Sequence, residues 1–220
     1  MSTKLEVWGD YACFTRPELK TERVSYPVMT PSAARGIIDA IYWHPGMRNV
    51  IDKIHVLSPI DYMNVRVNEV ASKISWDKVR EHMIKRDNAP LYIDTTDGKK
   101  REQRSSRVLK NVHYVIESHF ELVPEKMNEG DNKDKFKGIL AERIEAGRCY
   151  KYPYFGMRQF PVFFRKWEEK EIPTAYPDKV VDFGLMIYDH EFRKDRVNTA
   201  LFHAVMENGV IDLTKAEVLK

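Results

Sequence analysis

Histidines and a dense group of cations are the residues whose types and spacing could support chemistry. Six cations fall between positions 99 and 110 and form the basic cluster: Lys99, Lys100, Arg101, Arg104, Arg107 and Lys110. Glu102 is the one acid that interrupts them. This density of positive charge on a polar segment creates a local field suited to phosphates. A solvated loop would have the same composition, so both interpretations stay open.

Two histidines follow the basic cluster on one face of a predicted strand. His113 and His119 are too far apart in the sequence to share one metal ion, but they could line a groove. His113 is nearer the cations and is the better candidate for proton transfer, because imidazole titrates near neutrality and acts without a metal. Otherwise a strand histidine is structural or simply exposed.

Aromatic residues offer two further roles. Tyr42, near a predicted helix end, could act as a base only if nearby cations lowered its pKa from about 10; otherwise it packs on the sheet. A second group of rings could stack on unpaired bases or belong to the core: Trp43, Tyr114, Tyr150, Tyr152, Tyr154 and Phe155.

The composition limits the possible functions. The chain has 220 residues, 43% of them hydrophobic, and a net charge of only +3, so an anionic partner must be argued from where the charges lie. Cys13 and Cys149 form no CxxC pair, so neither a disulfide framework nor a zinc site is expected. The sequence contains no nucleotide-binding glycine loop, GxSxG elbow or HExxH pair, and its acidic residues are scattered. If the protein cuts RNA, we therefore expect cleavage without a metal or cofactor, with the substrate's own 2′-hydroxyl as nucleophile.

The sequence gives no sign of membrane insertion. MSTKLEVWGDY has no charged leader followed by an apolar region, and no segment approaches the roughly 18 unbroken apolar residues of a membrane helix. We therefore expect a soluble, cytoplasmic protein with no membrane partner.

The elements that must position these residues are predicted in a mixed order. Thr30 with Pro31 and Pro45 with Gly46 punctuate the first helix. Polar and apolar residues alternate over 110–123, with Asn111 and His113 on one face. The predicted elements are strand 4–14, helix 30–46, strands 49–60 and 64–70, an insertion or long loop over 75–107, strand 110–123, helix 132–147 and an aromatic-rich strand over 149–164. Within the insertion, residues 76–87 could be a helix or a charged excursion.

This order predicts an α+β fold in two domains. Residues 1–165 follow the β-α-β-β-α-β order of a ferredoxin-like (RRM-like) domain, whose antiparallel sheet has helices on one face and an open second face. Residues 166–220 contain two strand candidates, FGLMIYD and AVMENGVIDL, and the second turns at Asn208-Gly209, a strong hairpin signal. They predict a small β-rich C-terminal domain packed on the first.

Several long blocks resemble a known family. They are VWGDYACFTRPE, SYPVMTPSAARGIIDAIYWHP, NVRVNEV, LKNVHYVIESHFEL, FGMRQFPVFF and AVMENGVI. Together they resemble the subtype I-C (Dvulg) CRISPR-associated protein that processes precursor crRNA, a member of the RAMP superfamily. The resemblance covers nearly the whole chain. It implies metal-independent cleavage of the repeat RNA at the base of its hairpin, which leaves a 2′,3′-cyclic phosphate. It also implies that the protein stays on the crRNA 5′ handle as a subunit of the interference complex.

The resemblance also implies site residues. The family's helix-end tyrosine corresponds to Tyr42, as base for the 2′-hydroxyl, and its lysine at the head of the long strand corresponds to Lys110, as stabiliser of the phosphorane. A histidine follows that lysine in the family pattern, whereas Asn111 does so here. His113 on the same strand face could take the role. Regular alternation sends Lys110 to the other face, so joint action requires a bend.

The same resemblance gives the polar residues a binding role. The insertion over 75–107 becomes a candidate clamp on the repeat hairpin. Asn111 and Arg158 join the basic cluster as candidate RNA contacts. Two alternatives remain: a scaffold subunit that holds the crRNA handle while another protein cuts, and a general single-strand-binding domain.

Overall fold

The described part of the chain contains ten β-strands and three α-helices. The structure is a computed structural model that describes residues 3–19, 22–87, 91–192 and 197–219; for 191 and 192 it describes the backbone alone. Residues 88–90 of the predicted insertion, and 193–196 and 220 of the predicted C-terminal domain, therefore lie outside the described residues. The helices are α1 (Pro31–Ile41), α2 (Trp76–Lys85) and α3 (Lys133–Glu145). None of them is long and apolar enough to cross a membrane.

The strands form one mostly antiparallel sheet, so the fold is a mixed α/β architecture. They are β1 (Thr3–Ala12), β2 (Arg23–Val24), β3 (Met47–Val56), β4 (Tyr62–Val70), β5 (Arg101–Leu122), β6 (Phe163–Lys166), β7 (Val180–Phe192), β8 (Val197–Glu207), β9 (Val210–Asp212) and β10 (Val218–Leu219). Their order is β10-β8-β9-β3-β5-β1-β6, with β2 and β4 also paired to β5, and β7 to β8.

Strand β5 is the centre of this sheet. Its first half pairs with β4, from Arg101 opposite Val70 to Leu109 opposite Tyr62. Its second half pairs with β3, from Tyr114 onward. Along its other side β1 spans the change of partner without a shift in register. A single strand thus ties together most of the sheet.

Local sequence signals explain the helices. The Thr30 hydroxyl accepts a hydrogen bond from the Ala33 amide at 3.3 Å and caps α1, and Pro31 fits the first turn because it has no amide hydrogen to lose. An apolar stripe at helical spacing buries α1: Ala34, Ile37, Ile38 and Ile41. Asn132 caps α3 in the same way. Both predicted helices are confirmed, although each ends a few residues earlier than its quoted segment.

The sheet has two chemically different faces. Leu5 and Val7 of β1 lie in the core with Tyr114 of β5. Phe120 continues this side of β5 and meets the ring of Phe136 in α3. Alternation therefore turns every second residue from His113 to His119 to the opposite side, which we call the open face. The alternation predicted for 110–123 is confirmed from residue 112 onward.

The prediction of an insertion or long loop over 75–107 is wrong in part. Residues 76–85 form α2, which agrees with the helix alternative for 76–87. Arg101 to Arg107 instead belong to β5, where they pair with β4 in a long hairpin. Polar composition suggested a loop, but cross-strand pairing compensates for the missing apolar contacts. Glu69 of β4, for example, accepts hydrogen bonds from Arg23 and faces Arg104 at 3.5 Å.

The predicted aromatic-rich strand over 149–164 is also wrong for most of its length. Only Phe163–Lys166 forms a strand. Pro153 and Pro161 cannot donate to a β-ladder, and Gly156 has a φ of +76°, which lies outside the extended region of regular strand backbone. The preceding residues form a loop in which Phe155 is fully buried.

The C-terminal strands extend the main sheet. Asn208 and Gly209 both have positive φ, 52° and 75°, as a tight hairpin turn requires, and they join β8 to β9. Strand β9 pairs with β3 over residues 210–212. The division into domains at 165 stays a prediction.

The loop before β6 gives a test of the fold. Replacing Gly156 by alanine would place Cβ 2.0 Å from the carbonyl oxygen of Cys13 and would strain a left-handed backbone. We expect Gly156→Ala to lower the free energy of unfolding by more than about 2 kcal/mol. Urea unfolding measures it.

The matched control is Gly138→Ala in α3, where nothing lies within 4 Å of the added Cβ. This change should raise stability by about 0.5–1 kcal/mol, because alanine is the better helix former. Equal effects at the two glycines would contradict the loop geometry.

Candidate functional site

A buried carboxylate on the open face joins three strands. Glu6 of β1 is 3% exposed. Its Oε1 lies 2.7 Å from Nε2 of His113 in β5 and accepts a hydrogen bond from Nη2 of Arg165 in β6 at 3.1 Å. The Nε of Arg165 donates to the other carboxylate oxygen. We call Glu6, His113 and Arg165 the open-face cluster.

Strand register explains why these side chains meet. Glu6 is opposite Arg165 in the β1–β6 ladder, so the two residues share a face. His113 is opposite Trp8, two residues along β1 from Glu6 and on the same face. The cluster therefore depends on two ladders at once.

Electrostatics fix the state of the carboxylate. Burial by itself raises the pKa of Glu6, but hydrogen bonds and charge from Arg165 and His113 outweigh it, and the pKa lies below its usual range. An ionised carboxylate only accepts hydrogen bonds, so Nε2 of His113 must carry the hydrogen between them. The Nδ1 atom of a neutral His113 is then a proton acceptor.

Aromatic rings border the cluster. Trp8 stacks on Phe163 with ring centroids 6.1 Å apart, and the guanidinium of Arg165 lies 5.6 Å above the Trp8 ring. Phe163 remains 53% exposed. The cluster lines a shallow depression of about 450 Å³ together with Trp8, Gly9, Asp10, Asn111 and Val112. This surface combines a proton acceptor, a cation and an exposed ring.

Lys110 lies outside this depression. It is opposite Tyr11 in the β1–β5 ladder, three residues from Trp8, and therefore belongs to the other face. Its ammonium group pairs with Asp61 at 2.9 Å. Asn111 does have a φ of +51°, but β1 keeps its register past this residue, so the local distortion does not bring Lys110 to His113.

Tyr42 is separate from both residues. It caps the C-terminus of α1, is 8% exposed and packs against Phe136 on the helix-bearing face. Burial raises its pKa even though Arg143 lies 5.2 Å from the ring centroid. The pKa of Tyr42 therefore lies above its ordinary value, and its role as a base stays a prediction. The structure does not bring Tyr42, Lys110 and His113 together.

The basic cluster lies along the β4–β5 hairpin and the short turn before it. Acids neutralise part of it: Arg104 contacts Glu102 at 2.8 Å, and Lys100 lies 3.9 Å from Asp97. Arg107 covers the ring of Tyr62 at 4.5 Å. Lys99 and Arg101 are exposed and form no ion pair with any described residue. Those two cations are the ones most available to an anion.

The remaining predicted contacts are dispersed. Arg158 is exposed in the turn before β6 and lies on neither the hairpin nor the open-face depression. Asn111 does line that depression beside His113. In the described ranges, no group of three or more histidine, cysteine or acidic side chains could hold a metal ion.

Sequence reasoning did not single out Glu6, Trp8, Phe163 or Arg165. Glu6 and Trp8 are two residues apart in the predicted strand 4–14, and this spacing is the local signal that they share a face. The β1–β6 register that brings Arg165 to Glu6 has no comparable local signal, because the strand that carries Arg165 was predicted too early in the chain.

Comparisons with known proteins agree with one another. A family model described as CRISPR-associated protein (Cas_Cas5) matches residues 3–214. A Mannheimia succiniciproducens protein named CRISPR pre-crRNA endoribonuclease Cas5d is 43% identical over 215 residues, 96% of this chain and 93% of the relative. A Thermus thermophilus protein of the same name is 36% identical over 192 residues, 87% of this chain and 74% of the relative.

Two solved structures share the fold. A functionally uncharacterized protein from Streptococcus mutans has a TM-score of 0.68 at 22% identity, and a CRISPR-associated protein has a TM-score of 0.70 at 21% identity. Each alignment covers 100% of this chain and 97% of the other. The family model and the two relatives define the class as CRISPR-associated proteins. Within that class, the chain belongs to the Cas5d family, the subtype I-C branch of the RAMP superfamily.

The open-face cluster predicts a pH dependence. Because the pKa of Glu6 is lower in the folded than in the unfolded chain, its ionised form adds stability above the unfolded pKa. This stability is lost as pH falls through the folded pKa. Thermal unfolding between pH 7 and pH 3 should therefore show a Glu6→Gln variant that is less stable at pH 7 and approaches the wild type in acid.

Glu121→Gln, at an exposed position of β5, is the control and should follow the wild-type curve. A constant difference between Glu6→Gln and the wild type at every pH would contradict the lowered pKa.

Proposed function

We propose that this protein is a metal-independent endoribonuclease that cleaves CRISPR repeat precursor RNA near the base of its hairpin. In this proposal it then stays on the crRNA 5′ handle as a subunit of the subtype I-C interference complex. Two relatives, 43% and 36% identical, are named pre-crRNA endoribonucleases. The proposed cleavage chemistry rests on the open-face cluster, in which an imidazole is hydrogen-bonded to a buried carboxylate beside an exposed cation.

Proton transfer is assigned to His113. Its Nε2–H is held by Glu6, so its Nδ1 is available to take the proton of the substrate's 2′-hydroxyl. Glu6 touches no substrate in this scheme and is a positioning residue. Its negative charge also stabilises the imidazolium that forms, as the carboxylate partner of a general base does in other enzymes.

Charge stabilisation is assigned to Arg165. Its side chain is 67% exposed although Nε and Nη2 are engaged with Glu6, so Nη1 can face a phosphate. As the 2′-oxygen bonds to phosphorus, the guanidinium stabilises the phosphorane charge. The bond from phosphorus to the 5′-oxygen then breaks, and the 5′-oxygen takes a proton from solvent. The products are a 2′,3′-cyclic phosphate and a 5′-hydroxyl.

The finer fold assignment belongs to the same proposal. We propose that β1, α1, β3, β5, α3 and β6 form a ferredoxin-like domain. The antiparallel order β3-β5-β1-β6 and the helices packed on one face support it. The hairpin of β4 with the first half of β5 is then an extension of that domain.

One observation favours a second candidate function. Tyr42, Lys110 and His113 lie at three separate places, as expected of a non-catalytic scaffold that only holds the crRNA handle. A scaffold would bind the repeat RNA as tightly but would leave it intact.

Cleavage in EDTA separates the two functions. The purified protein is incubated with its repeat RNA in EDTA, beside the same RNA carrying a 2′-deoxy substitution at the cut. We expect cleavage of the first and survival of the second, with His113→Ala lowering the single-turnover rate by roughly 10²–10⁴. Tight binding without cleavage of either RNA would establish the scaffold.

The matched control is His119→Ala, which removes a histidine from the same face of β5, where it pairs with Asp52 at 2.8 Å. This variant should cleave within about threefold of wild type, because residual effects at a site away from the chemistry are small. Full activity in His113→Ala, with loss in Tyr42→Phe or Lys110→Ala, would refute the assignment to His113.

The hairpin cations give a separate prediction. Lys99→Ala/Arg101→Ala should weaken repeat-RNA binding and flatten the dependence of log Kd on log salt by about one unit for each phosphate that the variant no longer neutralises. The control Lys170→Ala/Lys215→Ala removes two exposed cations elsewhere and should leave the slope unchanged. Identical slopes in the two double variants would contradict the hypothesis that the insertion clamps the repeat hairpin.

A further inference from the structure

A cleft beside α1 displays exposed aromatic rings. Its volume is about 650 Å³, and it opens on the helix-bearing side of the sheet. Four of its lining side chains are aromatic and exposed: Trp43 at 57%, Tyr150 at 75%, Tyr152 at 78% and Tyr154 at 41%. Throughout the described part of the chain, no other aromatic ring stacks on these four. A contiguous group of exposed, unstacked rings indicates a binding surface.

The backbone that carries these rings is fixed. The amides of Tyr150 and Lys151 both donate to the carbonyl of Ala40 in the last turn of α1, at 2.9 and 3.0 Å. Further along, the amide of Cys13 donates to the carbonyl of Phe155 at 3.0 Å, and the Phe155 ring is fully buried. The rings are therefore presented by an anchored loop, which lowers the entropic cost of binding a flat ligand.

Charge in the cleft selects the part of a ligand that can enter. Asp39 and Asp189 line it, and both pair with Arg35, while Asn49 donates to Asp39 at 2.7 Å. Two carboxylates disfavour a phosphate inside the cleft. Their oxygens and the Arg35 guanidinium instead match the amino and carbonyl groups on the edge of a nucleobase. Lys151 also lines the cleft, with its ammonium 5.7 Å from the centre of the Tyr150 ring, and is a cation that could meet the backbone phosphates.

We propose that this cleft stacks unpaired nucleotides next to the RNA hairpin, with bases inside and phosphates at the rim. The inference rests on the proposed function, since it takes RNA as the ligand. The loop that carries Tyr152 and Tyr154 leads directly into the edge strand β6, whose Arg165 belongs to the open-face cluster. A single strand of RNA that rounds this edge would connect the cleft to His113.

The test measures binding of fluorescein-labelled, unstructured 12-nucleotide oligouridine to the full chain by anisotropy. Trp43→Ala/Tyr152→Ala should raise Kd about tenfold or more, because each stacked base adds substantially to the affinity. The slope of log Kd against log salt should stay at the wild-type value, because the variant keeps every cation that faces a phosphate. Tyr152→Phe keeps a ring and should bind like the wild type.

The control Trp76→Ala removes an aromatic side chain of α2 that is 71% exposed and lies outside the cleft. It should leave Kd unchanged. A Kd within twofold of wild type for Trp43→Ala/Tyr152→Ala, or an equal loss in Trp76→Ala, would overturn the inference.

Single-turnover cleavage of repeat RNA at saturating protein separates this inference from the proposed function. If the wild type cleaves the repeat RNA and the cleft variant binds oligouridine as the wild type does, the inference about the cleft is overturned. The proposed nuclease function then stands. Specific loss of binding in that variant, with no cleavage by the wild type, would support the cleft and refute the nuclease.

Discussion

The pairing of β5 on both sides is the constraint on which the rest of the structure depends. Because β1 holds one side of β5 in constant register while β4 and then β3 hold the other, the orientation of every side chain from Val112 to Phe120 is fixed. A slip of one residue would exchange the core with the open face. The same register that buries Tyr114 therefore exposes His113 to chemistry.

Glu6 brings side chains of neighbouring strands together in a candidate site. A carboxylate that is 3% exposed is costly unless it is fully hydrogen-bonded, and here an imidazole and a guanidinium from two different strands satisfy it. The arrangement holds His113 in one tautomer and leaves part of Arg165 free. On the opposite face, the aromatic cleft offers the flat surfaces of exposed rings. The two faces thus suit different tasks, chemistry on one and base stacking on the other.

The sequence predicted those parts of the fold that depend on local chemistry. Thr30 and Pro31 marked the start of α1, Asn208-Gly209 marked a hairpin, and alternation marked the faces of β5. The pairing of strands that are distant in the sequence could not be predicted from such local signals. The hairpin strand at 101–107 looked like a loop because its side chains are polar, and its stabilisation comes from β4. Likewise, Tyr42, Lys110 and His113 could be named as types, but whether they meet depends on strand register and helix packing, which no local pattern encodes.

A structure of the protein bound to its repeat RNA with a 2′-deoxy nucleotide at the cut would test the central claim most directly. The missing 2′-hydroxyl prevents the reaction while the phosphate stays in place. We expect the scissile phosphate on the open face, within hydrogen-bonding distance of Arg165, at roughly 3 Å, and the 2′-carbon beside Nδ1 of His113. A scissile phosphate on the helix-bearing face, near Tyr42 or Lys110, would contradict it.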